Sequence, residues 1–362
     1  MGLRRMIYAN RKELFVAIIL ILVFIYDLTN ELPMRNQSAR SSSSHKVNKV
    51  HNKESNSNKE EEKEQDMKGR IIEQFAEDVG NLTLEAQSNR RLIIYNRVPK
   101  CGSQTMSMLI NHSSRRNKFK SWQLFQNGEV PQRSVSEQRR WAEEVYEELN
   151  SLQPKTKPLL FTRHQYYINF ADYNLIEPIY INLIRDPVDR FSSFYYFQRF
   201  GNARGGGKNQ PPGHMSEADW QMSLDECVKK FKRECTSPIW HTIPYLCGNA
   251  PVCQEKTVRA VEETKRNIER NYFTIGVLEE LRTFLRLLEK TLPQYFEGVL
   301  EIYDANSIRN DTHTLNKKTI SDVTRKFLAE QTVLQLEYEV YHFIRARFRK
   351  QASHHGISLE EL

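Results

Sequence analysis

Residues 91–110 read RLIIYNRVPKCGSQTMSMLI: an apolar run at Leu92–Tyr95, a Pro-Lys pair, a cluster of small residues, then an apolar-periodic segment. The order is strand, turn, helix. Such a turn directs backbone N–H groups and the positive helix end at whatever lies before it, so PKCGSQT reads as an anion cradle. Lys100 adds a point charge, and Ser103 and Thr105 offer hydroxyl donors. The G-x-x-x-x-G-K-[ST] phosphate loop is absent, and an ordinary β–turn–α junction is the competing reading of this stretch alone.

Working outward, RLIIYNRV (91–98), PLLFTRH (158–164) and PIYINLIRD (178–186) read as short buried strands, with a further strand at Tyr272–Leu278. Trp141, Val145 and Leu149 fall at helical spacing, as do Leu281, Phe284, Leu285, Leu288 and Leu292. A C-terminal helical run is predicted from Asp322 to Lys350, its aromatics serving the core. Strand–helix alternation predicts an α/β domain with a mostly parallel central sheet flanked by helices. Residues 201–219 read as a long loop, either functional or disordered.

In open α/β sheets, ligands bind beyond the carboxyl ends of the strands. Three polar clusters are predicted there: PKCGSQT, the Arg163-His164 pair, and RDPVDRFSS. Arg185 can fork onto phosphate oxygens, and Ser192 or Ser193 can donate from the following helix. Asp186 before Pro187 reads as a helix cap or a catalytic acid; Arg190 reads as a ligand contact or an ion-pair partner. His164 ends a strand on the ligand edge, where an imidazole can take a proton from an attacking hydroxyl. His112, His241, His313, His342, His354 and His355 lack comparable placement.

The N-terminal part has another character. Arg4, Arg5, Arg11 and Lys12 precede an apolar run from Leu14 to Tyr26, which predicts a cytoplasmic tail (1–12) and a signal anchor (13–32) with the rest in a lumen. A cleaved signal peptide is the alternative, though no small-residue cleavage site follows the run. Residues 33–88, rich in Ser, Asn, Lys and Glu, read as a stem, residues 89–352 as the luminal domain, and 353–362 as a tail. Sequons at Asn36, Asn81, Asn111 and Asn310 fit a luminal chain, Asn111 least because it neighbours the cradle.

Cys227, Cys235, Cys247 and Cys253 lie close together, and two local disulfides are the economical reading in an oxidising lumen. Zinc is the alternative, but neither spacing is C-x₂₋₄-C; no metal is expected. The 53 Lys+Arg against 45 Asp+Glu give a net charge of +8. Behind an anchor, the polyanions within reach are glycosaminoglycans and phosphorylated nucleotides rather than nucleic acid.

Taken together, YNRVPK, FTRH, PIYINLIRDPVDRF, YYFQRFG, the CX₇C pair, IPYLCG with CX₅C, and GVLEEL resemble the Golgi glycosaminoglycan 2-O-sulfotransferases, over roughly Arg91–Gln351. VPKCGSQTM and FTRH are similar to the uronyl and Pipe-like branch. The resemblance implies a P-loop-like sulfotransferase fold in a single-pass type II Golgi membrane protein. It also implies disulfides Cys227–Cys235 and Cys247–Cys253, and the donor 3′-phosphoadenosine 5′-phosphosulfate.

By the same resemblance, Lys100, Cys101, Gly102, Ser103, Gln104 and Thr105 would hold the 5′-phosphosulfate, and Arg185 with Ser193 the 3′-phosphate. Lys317, Lys318 and Thr319 would belong to a closing loop. His164 would be the base and Lys100 the stabiliser of the leaving oxygen, while Arg97, Arg163 and Arg199 would bind a glycosaminoglycan acceptor. A trimer is implied by the heparan sulfate branch. The competing classes are a luminal phosphotransferase and a non-catalytic polyanion-binding protein.

Overall fold

The computed structural model describes residues 89–124, 131–203, 206–208, 210–211, 213, 215–236, 241–305 and 313–359. The predicted tail, anchor and stem, and the sequons at Asn36, Asn81 and Asn310, lie outside them. Among the described residues, no helix is long and apolar enough to cross a membrane.

The predicted sheet is present and entirely parallel. Strand β1 (Asn89–Asn96) leads through helix α1 (Ser103–Asn117) to β2 (Lys120–Gln123); helix α2 (Val135–Ser151) returns to β3 (Leu159–Arg163). Strand β4 (Pro178–Ile184) is followed by helix α3 (Pro187–Phe200) and a small antiparallel ribbon, β5 (Gly201–Asn202) with β6 (Gly206–Gly207). Helix α4 (Thr242–Cys247) and helix α5 (Val258–Asn271) precede β7 (Tyr272–Val277), and helices α6 (Leu281–Thr291), α7 (Asp322–Ala329) and α8 (Thr332–His354) complete the chain.

The strand order is β2-β3-β1-β4-β7. The connection after β1 runs toward one edge and that after β4 toward the other, so their loops part between these neighbours and open a crevice at their carboxyl ends. β3 and β4 are buried along their whole length, as their near-continuous apolar sequences require of strands covered on both faces.

Several boundaries differ from the sequence reading. β1 ends at Asn96, because Arg97 and Val98 already belong to the turn. The short edge strand β2, reading KSWQ, was not foreseen, nor was α5, whose inward face includes Thr264 and Asn267. The single C-terminal run is two helices, divided after Ala329. α8 runs on to His354, past the predicted start of the tail, and ends in a turn at Gly356 with φ 65°, where the amide of Ile357 donates to Ala352.

A main core surrounds the sheet and includes Cys247 and Cys253. A second core joins Phe191 and Tyr195 of α3 to Trp220, Cys227, Cys235 and Leu334. Both expected disulfides, Cys227–Cys235 and Cys247–Cys253, are formed, and Cys101 is free and buried.

Candidate active site

At the crevice lies a cavity of 960 Å³. Its walls come from the turn after β1, the end of β3, the β4–α3 junction, the β5/β6 ribbon and residues 313–317. Lys100 and Gly102 both have positive φ, 65° and 74°, folding the turn sharply into α1. Position 102 favours glycine: its φ is in the left-handed region, and a Cβ there would meet Leu278 Cδ1 at 2.6 Å, displacing that methyl. No side chain caps α1 and its first turn holds no acid. First-turn amides have no intrahelical acceptor, and Gly102, Ser103, Gln104 and Thr105 all line the cavity.

The wall also carries Arg97, Lys100, Arg185, Lys208 and Lys317 and, among the described residues, no carboxylate. Desolvation, then Arg185 and Lys317, push the Lys100 ammonium down to about 8. Lys317, an exposed residue that also lines the cavity, is lowered to about 8 by desolvation and then Arg185. The Lys100 ammonium lies 3.9 Å from the Phe197 ring centroid, a contact with no evident sequence signal beyond the aromatic run of α3.

His164 sits where the register demands. Asn96 pairs with Arg163 across β1 and β3, so the next residues, Arg97 and His164, are neighbours. His164 Nδ1 is 2.8 Å from the Arg97 carbonyl oxygen. A carbonyl only accepts, so Nδ1 carries the proton and Nε2 keeps a lone pair. Burial, followed by Arg97, lowers the imidazole to about 3, keeping it neutral. Tyr245 of α4 meets the ring edge-on at 6.5 Å between centroids. Beneath, Asn96 donates to the Tyr245 carbonyl at 3.0 Å, and Asn182 to the Asn96 carbonyl at 2.8 Å.

The structure gathers Arg97, Lys100, Gly102, Ser103, Gln104, Thr105, His164, Arg185, Ser193 and Lys317 at one cavity. Of the two buried serines, Ser193 and not Ser192 lines it, and its hydroxyl lies 3.0 Å from that of Thr314. Cys101 points into the core: its side chain is fully buried, burial pushes its thiol up to about 12, and its Sγ donates to Pro99 at 3.7 Å. Any ligand contact at position 101 is therefore through its backbone. Lys318 and Thr319 are exposed and off the wall.

Two of the three proposed acceptor arginines lie off this wall. Arg199 is 1 % exposed, pairs with Glu234 at 2.6 Å and stacks 3.6 Å from the Tyr195 ring centroid. Arg163 is buried and absent from the wall. Asp186 caps α3, accepting from the Asp189 amide at 2.9 Å, and Arg190 pairs with Glu337 at 2.9 Å with both side chains fully buried. His313, set aside in the sequence reading, lines the cavity beside Thr314. Asn111 is exposed on α1.

The model of the Sulfotransferase family matches residues 87–344. The chain belongs to the sulfotransferase family. This sulfotransferase-family chain is 36% identical over 262 residues to uronyl 2-sulfotransferase of Homo sapiens, covering 71% of this chain and 62% of that protein. It is 31% identical over 268 residues to heparan sulfate 2-O-sulfotransferase 1 of Homo sapiens, covering 73% and 72%. Heparin sulfate O-sulfotransferase of Drosophila melanogaster shares 32% over 260 residues, covering 71% and 72%. The match thus spans less than two thirds of the uronyl 2-sulfotransferase.

Proposed function

We propose that the chain transfers sulfate from 3′-phosphoadenosine 5′-phosphosulfate to the 2-hydroxyl of a uronic acid, iduronate or glucuronate, in a glycosaminoglycan such as dermatan, chondroitin or heparan sulfate. The supporting observation is a cavity walled by five cations and no described carboxylate, with a neutral histidine of fixed tautomer at its edge. That donor set fits a nucleotide bearing phosphates at two positions. The N-terminal end of α1 and Lys100 suit its phosphosulfate end, and Arg185, Ser193 and Lys317 suit its second phosphate.

The chemistry follows from the residues. His164 Nε2 takes the proton of the acceptor hydroxyl as the acceptor oxygen bonds to sulfur and the bond from sulfur to the bridging phosphate oxygen breaks. Lys100 places positive charge beside that departing oxygen. Arg97 supplies a cation near His164 for an acceptor carboxylate. A Golgi lumen behind an N-terminal anchor is the compartment this reading requires.

The acceptor class is supported by relatives named as uronyl and heparan sulfate 2-O-sulfotransferases. Phosphotransfer from ATP is less well served, since it calls for carboxylates to hold magnesium at the phosphates. The test incubates full-length protein with labelled phosphosulfate donor or labelled ATP and a panel of desulfated polymers, followed by disaccharide analysis. Label at the uronic acid 2-position supports the proposal; label from ATP alone, or polymer binding without transfer, defeats it.

A further inference from the structure

The loop closed by Cys227 and Cys235 reads VKKFKRE. Lys229, Lys230 and Arg233 are exposed, and of the loop's four cations only Lys232 has an ion-pair partner among the described residues, Asp219 at 3.1 Å. Phe231 is 73 % exposed with φ 48°, a backbone conformation disfavoured for a bulky side chain. The loop nevertheless holds it there: the Phe231 amide donates to Val228 at 2.9 Å and the Lys232 amide to Cys227 at 3.2 Å. Its ring meets Phe327 of α7 edge-on at 6.1 Å, and Val323 on that helix is 79 % exposed. The result is an apolar spot ringed by cations, outside the cavity.

A strap joins the two places. Lys317 lines the cavity, the Lys318 amide bonds the Tyr196 hydroxyl, and that hydroxyl also accepts from the Leu224 amide at 3.1 Å. The Ser321 hydroxyl donates to Asp225 at 2.9 Å. Asp225 lies on the helix Leu224–Lys229, which is about 9 Å long and ends at the loop.

The geometry points to a second subsite, in which Lys229–Arg233 and Phe327 hold a distal stretch of the same sulfated polymer whose uronic acid occupies the cavity. This rests on the glycan-acceptor reading. Ammonium and guanidinium groups bind sulfates and carboxylates spaced along the polymer, while the Phe231 face lies against a sugar ring. Glu226 and Glu234 flank this run of cations in sequence, and Asp219 pairs with Lys232. A thread of spaced charges passes between such carboxylates, whereas a flat anionic bilayer would meet them all.

The test compares full-length wild type with Lys229→Glu/Lys230→Glu, Lys229→Gln/Lys230→Gln and Phe231→Ala on long polymer and on short oligosaccharide. The expected result is a rise in polymer KM of about tenfold, with kcat and the oligosaccharide KM unchanged, and elution from immobilised heparin at lower salt. Unchanged polymer KM and unchanged elution overturn the subsite. So does loss of binding to phosphatidylserine vesicles with polymer KM intact. Should wild type transfer no sulfate, the catalytic reading fails, and heparin elution still tests the loop separately.

Discussion

The Nδ1–H of His164 is held by the carbonyl of Arg97 at 2.8 Å, so the residue that carries a cation into the cavity also fixes the tautomer of the histidine at its edge. His164→Ala removes the proton acceptor, and His164→Asn keeps a donor toward Arg97 while lacking a base. Both should lose about 10²- to 10⁴-fold in kcat. Nucleotide affinity and thermal unfolding should match wild type, and steady-state kinetics with unfolding scans check this.

The pH profile has a stated sign. His164 must be neutral, and desolvation and Arg97 lower it to about 3, so kcat/KM should show no acidic fall near the ordinary histidine pKa of about 6.5. Lys100 and Lys317 must be charged, and each is lowered to about 8. kcat/KM should therefore fall as pH rises through about 8. Bound phosphates raise both lysines, so binding of 3′,5′-adenosine bisphosphate near pH 8.5 should take up protons, read by calorimetry in buffers of different ionisation enthalpy.

At Gly102, φ is 74° and a Cβ would have to displace the neighbouring Leu278 methyl. Gly102→Ala should cost about 1–3 kcal/mol of stability and weaken nucleotide binding. Adding Leu278→Ala should recover part of the loss by relieving the contact, with the backbone strain remaining. Melting curves with and without nucleotide separate the two contributions.

Glu337 binds Arg190 at 2.9 Å and accepts from the amides of His241 and Thr242 at 2.8 and 2.9 Å, fixing the start of the helix that carries Tyr245. Glu337→Ala leaves Arg190 buried without its counter-charge and should cost about 3–5 kcal/mol. Replacing both, as Arg190→Met with Glu337→Leu, should cost less than the single change. Denaturant unfolding of the single and double variants decides this.

Strands β1, β3 and β4 were legible because burial on both faces demands unbroken apolar runs, and the polar residues after each run had only one end of the sheet to occupy. β2 was not legible: its pattern is short and half-polar. α5 buries Thr264 and Asn267 alongside Ala260, Val261 and Ile268, so its inward stripe does not read as apolar. Arg199 and Arg185 look alike in sequence. Only packing shows that Arg199 turns from the cavity toward Glu234 while Arg185 faces it. Glu337 was invisible for the converse reason: one of two acids on a long helix, it signals nothing until Arg190 is beside it.

Thr314 bridges Asn202 in antiparallel pairing, and His313 and Lys317 supply part of the cavity wall. All five strands of the main sheet, in contrast, are complete by Val277. In the order of synthesis the strands therefore precede both the residues that close the pocket and the α8 side chains Leu336, Val340, Ile344 and Phe348 that complete the main core. Nucleotide should protect the finished protein from proteolysis and leave a chain ending before residue 313 largely unprotected, making donor binding a reporter of completed synthesis.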